Sequence, residues 1–208
     1  MAGNNIDLLS IFEAVSGNLA DNQSALNEAD SYNHDHGDHM VEIFGLITKA
    51  MTQKKSAEPA DQLAYASDLL KKESSSGSAQ LYADGLANAA QQFVGKQITA
   101  DNAMQLVQTL MGGGQKVQAP QASSGDMLGS LLSGLTGAKS GDADGFDASD
   151  LLTAGLTFLK SKQEGDSNLE ALVDAAIAST QMGSSAHRAQ SGKLVANTIL
   201  QMMGSMNK

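Results

Sequence analysis

Clustered carboxylates and imidazoles make one short stretch of the chain a candidate for chemistry. Residues 30–39 contain Asp30, Asp35 and Asp38, together with three of the four histidines of the chain, which are His34, His36 and His39. Helical patterns of apolar residues flank the stretch on both sides, so we expect it to form a loop between two packed helices. Clustered carboxylates in such loops are typical ligands of a divalent cation. The sequence therefore predicts a metal site at Asp30, Asp35 and Asp38.

Other interpretations of these residues stay open. Asp30 and Asp35 would otherwise be acidic loop residues that cap two helices, and Asp38 would be the N-cap of the second helix. The histidines would then be solvated, or would bind zinc, copper or nickel, which imidazole suits better than magnesium.

A second candidate site is the turn at residues 74–78, with the sequence Ser-Ser-Ser-Gly-Ser, which precedes an alanine-rich helical pattern. The hydroxyl and backbone N–H groups of Ser76, Gly77 and Ser78 at a helix start would suit the oxygens of a phosphate. Without a ligand, the same residues would simply form a flexible turn.

Composition and charge exclude several classes of function. The formal net charge is −10 with only 17% charged residues, which disfavours nucleic acid and anionic membranes as partners. There is no cysteine, so disulfide bonds and thiolate chemistry are excluded. Neither a secretory signal nor a membrane span is predicted, and the cytosol is the default location.

The apolar periodicity predicts an all-α protein, an antiparallel bundle or barrel of about eight helices. Asp7 is the predicted N-cap of the first helix, and Pro59 falls in the first turn of the third. A single domain is expected over residues 1–208, with a flexible Gly/Ser-rich lid or linker at about 112–147. The predicted helices cover residues 8–26, 40–51, 60–70, 81–94, 101–111, 127–135 (inside the lid), 151–163, 168–180 and 193–202.

The aspartate loop resembles a motif of the nucleotide-binding L domain of dihydroxyacetone kinase, the DhaL family. That motif reads Leu-Asp-x-x-Ile-Gly-Asp-Gly-Asp-His-Gly. Asp30 and Asp35 keep its spacing, and Asp38-His39 matches its Asp-His pair when Gly37 is counted as an insertion. The family's Gly-Gly-x-Ser-Gly-x-Leu-Tyr turn resembles residues 75–82, and its Gly-Arg-Ala segment is similar to the sequence around Arg188.

The resemblance implies an antiparallel eight-helix barrel with ADP or ATP bound at one end. Two magnesium ions (Mg2+) would lie between the aspartates and the nucleotide phosphates. Ser76, Gly77, Ser78, His39 and Arg188 would contact the nucleotide. A separate K-type subunit would hold the acceptor, dihydroxyacetone, so that this chain would be half of a kinase.

Three functions remain open. The first is phosphoryl transfer to dihydroxyacetone or a similar small acceptor, together with a K-type subunit. The second is a divergent, non-catalytic DhaL-like protein with a metal-binding, regulatory or structural role, which the replaced glycines and the missing terminal Asp-Pro-Gly-Ala of kinase members favour. The third is hydrolysis of a phosphate ester by the same metal loop. A homodimer is one option for the assembly.

Overall fold

The described part of the chain consists of helices and the loops that join them. The computed structural model describes residues 7–99, 102–112, 173, 177 and 180–205. The helices in these ranges are α1 (Leu8–Asp21), α2 (Gln23–Ala29), α3 (His36–Gln53), α4 (Pro59–Glu73), α5 (Gly77–Gln92), α6 (Ala103–Gly112), a short 3-10 helix (Gln181–Ser184) and α7 (Ala186–Ser205). No strand occurs among the described residues, so the predicted all-α class is confirmed for them.

Local side-chain chemistry fixes several helix starts. Asp7 is the N-cap of α1, as predicted, and its carboxylate accepts a hydrogen bond from the backbone N–H of Leu9. Pro59 lies in the first turn of α4, where the missing N–H of proline costs nothing. Ser76 is the N-cap of α5 and accepts a hydrogen bond from the N–H of Ala79.

The first predicted helix is interrupted at Asn22. The side-chain amide of Asn22 donates to the backbone carbonyl of Asn18 at 2.8 Å and to the side-chain oxygen of Asn18 at 2.9 Å. Such local bonds compete with the hydrogen bonds of a helix, and the backbone of Asn22 departs from helical geometry, with φ −105° and ψ 7°. The prediction of one helix over residues 8–26 was therefore wrong, and the separate helix α2 leads the chain to Asp30.

Helix α3 begins at His36, ahead of both the predicted N-cap residue Asp38 and the first apolar position of the pattern, Met40. Asp35 takes the N-cap position, and Asp38 lies in the first turn of the helix. An acidic side chain is favourable there because the helix dipole places partial positive charge at the N-terminus.

Helix α7 begins at Ala186, well before the predicted start near Lys193. Residues 186–192 are small or polar, so the apolar pattern did not reveal this part of the helix. Gly192 is buried in α7, beside the side chains of Ile177 and Met111, and one glycine inside a helix costs only about 1 kcal/mol relative to alanine. The observed start places Arg188 on α7.

Contacts between the helices form a closed circuit. Helix α1 packs against α3, α3 against α4, α4 against α5, α5 against α6, α6 against α7, and α7 against α1. Buried apolar side chains from all these helices belong to one cluster. The ring of Phe44 lies 6.2 Å from that of Phe12 and 5.0 Å from that of Tyr82, measured between centroids. The aromatic contacts thus connect α1, α3 and α5.

Several predictions fall on residues that the structure does not describe. The lid or linker at 112–147, apart from Gly112 at the end of α6, lies outside the described residues, as do the helices predicted at 127–135 and 151–163. Of the helix predicted over 168–180, Val173 and Ile177 are described as helical and buried. The single domain over residues 1–208 stays a prediction.

Candidate functional site

The loop between α2 and α3 holds the carboxylate of Asp30 in a buried position. Asp30 is the C-cap of α2 and is only 4% exposed. Its Oδ1 accepts a hydrogen bond from the backbone N–H of Tyr32 at 3.1 Å, a local turn that aspartate side chains favour. His34 takes a left-handed conformation with φ 58°, and the chain enters α3 after Asp35.

Asp30 faces an imidazole from the far end of the sequence. Its Oδ1 lies 3.6 Å from Nδ1 of His187. The hydrogen bond from Tyr32 is the main cause that lowers the pKa of Asp30, and the nearby imidazoles and the N–H of Asp35 act in the same direction against burial. Asp30 is therefore an anion at neutral pH, held close to groups that can carry positive charge.

His36 is buried between α3 and α7, with 4% of its surface exposed. Its Nε2 lies 2.9 Å from Oγ of Ser191, and its ring centroid lies 4.6 Å from that of His187. Burial is the main cause that lowers the pKa of His36 to about 4, with the charges of His187 and Arg188 acting in the same direction and Asp30 opposing them. His36 is consequently neutral at pH 7. We call the five residues Asp30, His36, His187, Arg188 and Ser191 the His36 cluster.

The guanidinium group of Arg188 lies beside the start of α5. Its Nη2 is 3.0 Å from the position that a Cβ atom would take on Gly77. Its Nε is buried, with no hydrogen-bond partner among the described residues. Ser76 caps the helix, and Ser78 is buried with 6% exposure. The predicted phosphate turn and the predicted arginine are thus neighbours in space.

Asp35 and His39 form a separate pair, one turn apart on α3. Oδ1 of Asp35 lies 3.3 Å from Nδ1 of His39, and both side chains are 38% exposed. Contact of His39 with the nucleotide stays a prediction.

Asp38 connects α2 to α3. Its carboxylate accepts hydrogen bonds from the side-chain amides of Gln23 and Asn27, the second at 3.1 Å. These bonds, first that from Gln23, lower the pKa of Asp38. Oδ1 of Asn27 in turn accepts the backbone N–H of Gly37 at 2.6 Å. The described bonds of Asp38 therefore have a structural role.

The three predicted metal ligands thus contact different protein groups. Asp30 faces His187, Asp35 faces His39, and Asp38 bonds to two amides. Within the described ranges, no group of three or more His, Asp or Glu side chains is arranged so that it could hold a metal ion. Carboxylate oxygens are the kind of ligand that magnesium prefers. The metal site at Asp30, Asp35 and Asp38 stays a prediction.

Two members of the cluster, His187 and Ser191, were not selected from the sequence as site residues. His36 was considered only as a solvated loop residue or a ligand of a transition metal, and its burial against α7 was not predicted. His187 directly precedes the predicted Arg188, whereas no motif marks Ser191.

A shallow groove lies between α4 and α5. It is lined by side chains that include Ala64, Asp68 and Lys71, and no member of the His36 cluster lines it. Within the described ranges, no helix combines the length and the apolar composition needed to cross a bilayer.

Comparisons of this chain with models of protein families, with curated proteins and with solved structures gave no match.

Proposed function

We propose that this chain is a DhaL-like domain that binds magnesium with ADP or ATP and takes part in phosphoryl transfer. The acceptor would be dihydroxyacetone or a similar small molecule, which a partner K-type subunit would hold. The carboxylates that would bind magnesium are Asp30, Asp35 and Asp38. The residues that would contact the nucleotide phosphates are Ser76, Gly77, Ser78, His39 and Arg188.

The main support for this proposal is that three segments distant in sequence lie close together in space. The aspartate loop and the serine turn were selected from the sequence for their own chemistry, and Arg188 through the family resemblance. Asp30 lies 3.6 Å from His187, and the next residue, Arg188, reaches the start of α5 at Gly77. His36 bonds to Ser191 across 155 residues of sequence. Unrelated turns and caps would have no reason to converge in this way.

The charges of the assembled groups suit a phosphate that carries a cation. The guanidinium of Arg188 and the N-terminus of α5 would attract phosphate oxygens, while the carboxylate of Asp30 would attract the cation. A chain with a net charge of −10 repels a free nucleotide. Binding should therefore require a divalent cation.

One further observation agrees with the family resemblance. The closed circuit of α1, α3, α4, α5, α6 and α7 is the arrangement that a helical barrel requires. It supports a DhaL-like barrel as the fold within this proposal.

Asp30, Asp35 and Asp38 would hold the magnesium, which would supply positive charge to neutralise the phosphates during transfer. The groups of the chain itself would orient the phosphates and exclude water. Arg188 would supply directed hydrogen bonds from its guanidinium group, and the N–H groups at the start of α5 would supply further donors.

A divergent, non-catalytic DhaL-like protein is the second candidate, and one observation favours it. Asp35 and Asp38 already have protein partners, His39 in one case and the amides of Gln23 and Asn27 in the other. A metal would have to displace these partners. Under this alternative the loop would have a structural, regulatory or metal-binding role without nucleotide turnover.

Calorimetry of the full chain with ADP and magnesium tests the proposal. The wild type is expected to bind ADP in the presence of magnesium. Arg188→Gln should weaken binding about tenfold or more, because a charge-assisted hydrogen bond is worth about 1.5–3 kcal/mol. Asp35→Asn should reduce binding in the same way, because it removes a charge that would face the cation.

The control variant is Asp68→Asn, which changes an exposed carboxylate on α4 and should leave the affinity unchanged. Magnesium binding to the wild type without nucleotide binding would support the non-catalytic alternative. Absence of binding by both ADP and ATP with magnesium would overturn the nucleotide proposal. Turnover would be measured separately, with a K-type subunit, dihydroxyacetone and ATP.

A further inference from the structure

Ser191 makes two contacts that together determine how its hydroxyl proton is used. The residue is 1% exposed in α7. Its hydroxyl donates to the backbone carbonyl of Arg188 at 3.0 Å, and its Oγ lies 2.9 Å from Nε2 of His36. A serine hydroxyl has one proton and two lone pairs. With the proton directed to Arg188, Oγ presents a lone pair to His36.

We propose that Ser191 is a positioning residue that holds His36 as the tautomer with its proton on Nε2, so that Nδ1 carries the lone pair. In neutral imidazole one nitrogen donates and the other accepts, and the hydrogen bond at one nitrogen sets the role of the other. Oγ of Ser191 accepts the hydrogen bond that Nε2–H of His36 donates. The lone pair of the neutral His36 ring is therefore on Nδ1.

The neighbouring imidazole, that of His187, has its hydrogen-bonding proton on the other ring nitrogen, Nδ1. Nδ1 of His187 lies 3.6 Å from the carboxylate of Asp30, and its Nε2 lies 3.2 Å from Oγ of Ser185. An ionised carboxylate only accepts, so the ring of His187 presents an N–H at Nδ1 to Asp30. The two imidazoles, whose centroids are 4.6 Å apart, thus present protons at different ring nitrogens, Nε2 in His36 and Nδ1 in His187.

The lone pair on Nδ1 determines which groups can form a hydrogen bond with His36. A lone pair on Nδ1 can accept a hydrogen bond from a hydroxyl group or from a metal-bound water, whereas it cannot donate to a phosphate oxygen. In a nucleotide site His36 would therefore accept a hydrogen bond from a hydroxyl group of a bound molecule rather than donate one to its phosphates. This role rests on the proposed function, while the assignment of the tautomer does not.

Nitrogen-15 NMR of the uniformly labelled full chain tests the assignment. Long-range correlations from the ring C–H groups to both ring nitrogens distinguish the two tautomers. His36→Gln identifies the signals of His36 among the four histidines. We expect a protonated Nε2 and an unprotonated Nδ1 near neutral pH. A proton on Nδ1 in the wild type would overturn the proposal, whether or not any variant folds.

Two serine variants test the positioning role. Ser191→Ala should convert the single tautomer of His36 into a mixture, and Ser191→Thr, which keeps the hydroxyl, should restore the single form. Ser185→Ala is the matched control, because it should alter the signals of His187 and leave those of His36 unchanged. An unchanged His36 tautomer in Ser191→Ala would overturn the positioning role.

The two proposals fail in different experiments. Absence of Mg-ADP binding by the wild type would refute the nucleotide function and leave the NMR result intact. Normal Mg-ADP binding together with an Nδ1-protonated His36 would refute the inference about Ser191 alone.

Discussion

At the scale of single residues, the hydroxyl of Tyr82 has no hydrogen-bond partner among the described residues. The side chain is fully buried on α5, its ring packs edge-on against Phe44, and burial raises the pKa of its hydroxyl. A buried polar group without a partner costs about 1–3 kcal/mol. We predict that Tyr82→Phe raises the free energy of unfolding by about 1–2 kcal/mol in urea titrations.

Tyr65→Phe is the matched control for this change. The hydroxyl of Tyr65 donates to the side-chain oxygen of Gln53 at 2.7 Å at an exposed position. Its removal should lower the free energy of unfolding slightly, by about 0.5–1 kcal/mol. A loss of stability in Tyr82→Phe would contradict the prediction and would mean that the buried hydroxyl is bonded.

The buried imidazole of His36 makes stability depend on pH. Its pKa in the folded state, about 4, lies below its ordinary value of 6.5. The unfolded state therefore binds more protons between these values, and stability is lost as the pH falls from 6.5 to 4. The lowered pKa values of Asp30 and Asp38 act in a separate window, below their ordinary value of 3.8.

We predict that the urea midpoint falls with decreasing pH between 6.5 and 4, and that His36→Gln makes this slope shallower. His34→Asn is the control, because His34 is exposed in the loop and asparagine tolerates its left-handed backbone. A slope that is the same in wild type and His36→Gln would mean that His36 is not the group responsible.

Sequence patterns predicted the residue types of the site better than their roles. His34, His36 and His39 occupy one short segment and look equivalent in the sequence. The start of α3 separates them, because His36 enters the interface with α7 while His34 stays exposed and His39 pairs with Asp35. Which histidine is buried depends on a helix that is distant in sequence, so the local pattern could not reveal it.

At the scale of secondary structure, Gly37 allows α2 and α3 to approach each other closely. A Cβ atom at this position would collide with the backbone carbonyl oxygen of Gln23 and would lie 2.7 Å from Oδ1 of Asn27. The first obstacle is backbone, which cannot move aside as a flexible side chain can. Gly37→Ala should therefore destabilise the fold by about 1–3 kcal/mol, measured by urea unfolding.

Gly17→Ala is the control at an exposed helical position in α1, where a Cβ would meet nothing within 4 Å. Alanine is the better helix former there, and we expect a gain of about 0.5–1 kcal/mol. Equal effects of the two substitutions would contradict the close approach of α2 and α3.

The presence of the helices was predictable from the spacing of apolar residues and from capping residues, as Asp7 and Pro59 illustrate. The boundaries that were missed have physical reasons. Asn22 breaks the first helix through side-chain bonds to Asn18, which a count of apolar positions does not register. The first part of α7 was missed because residues 186–192 are small or polar and carry no apolar pattern.

At the scale of the whole molecule, α1 and α7 close the circuit of helices. The side-chain amide of Asn18 donates to the hydroxyl of Thr198 at 2.7 Å, across 180 residues of sequence. Thr198 is 8% exposed and also donates to the carbonyl of Leu194 in its own helix. We predict that Thr198→Val lowers the free energy of unfolding by about 1 kcal/mol without changing the slope of the urea transition.

Thr52→Val isolates the contribution of the contact between helices. The hydroxyl of Thr52 also donates to a carbonyl of its own helix, that of Thr48, but the residue is exposed. Its replacement should change stability by less than about 0.5 kcal/mol. A comparable loss in both variants would mean that the bond to Asn18 does not contribute.

The helical class was predictable because apolar residues recur at the 3.6-residue spacing of a helix over long segments of the chain. The low content of aromatic residues also disfavours strands. The order of contacts around the circuit was not. It depends on which apolar faces meet, and faces of similar leucine, alanine and methionine composition do not distinguish their partners in the sequence.

The bond between His36 and Ser191 has a consequence for the newly made polypeptide. The two residues leave the ribosome 155 positions apart, which at about 5–20 residues per second is a delay of roughly 8–30 s. Until α7 emerges, α3 can pack against α1 and α4, but His36 at its start lacks the cover of α7. The His36 cluster is therefore complete only after synthesis has passed α7.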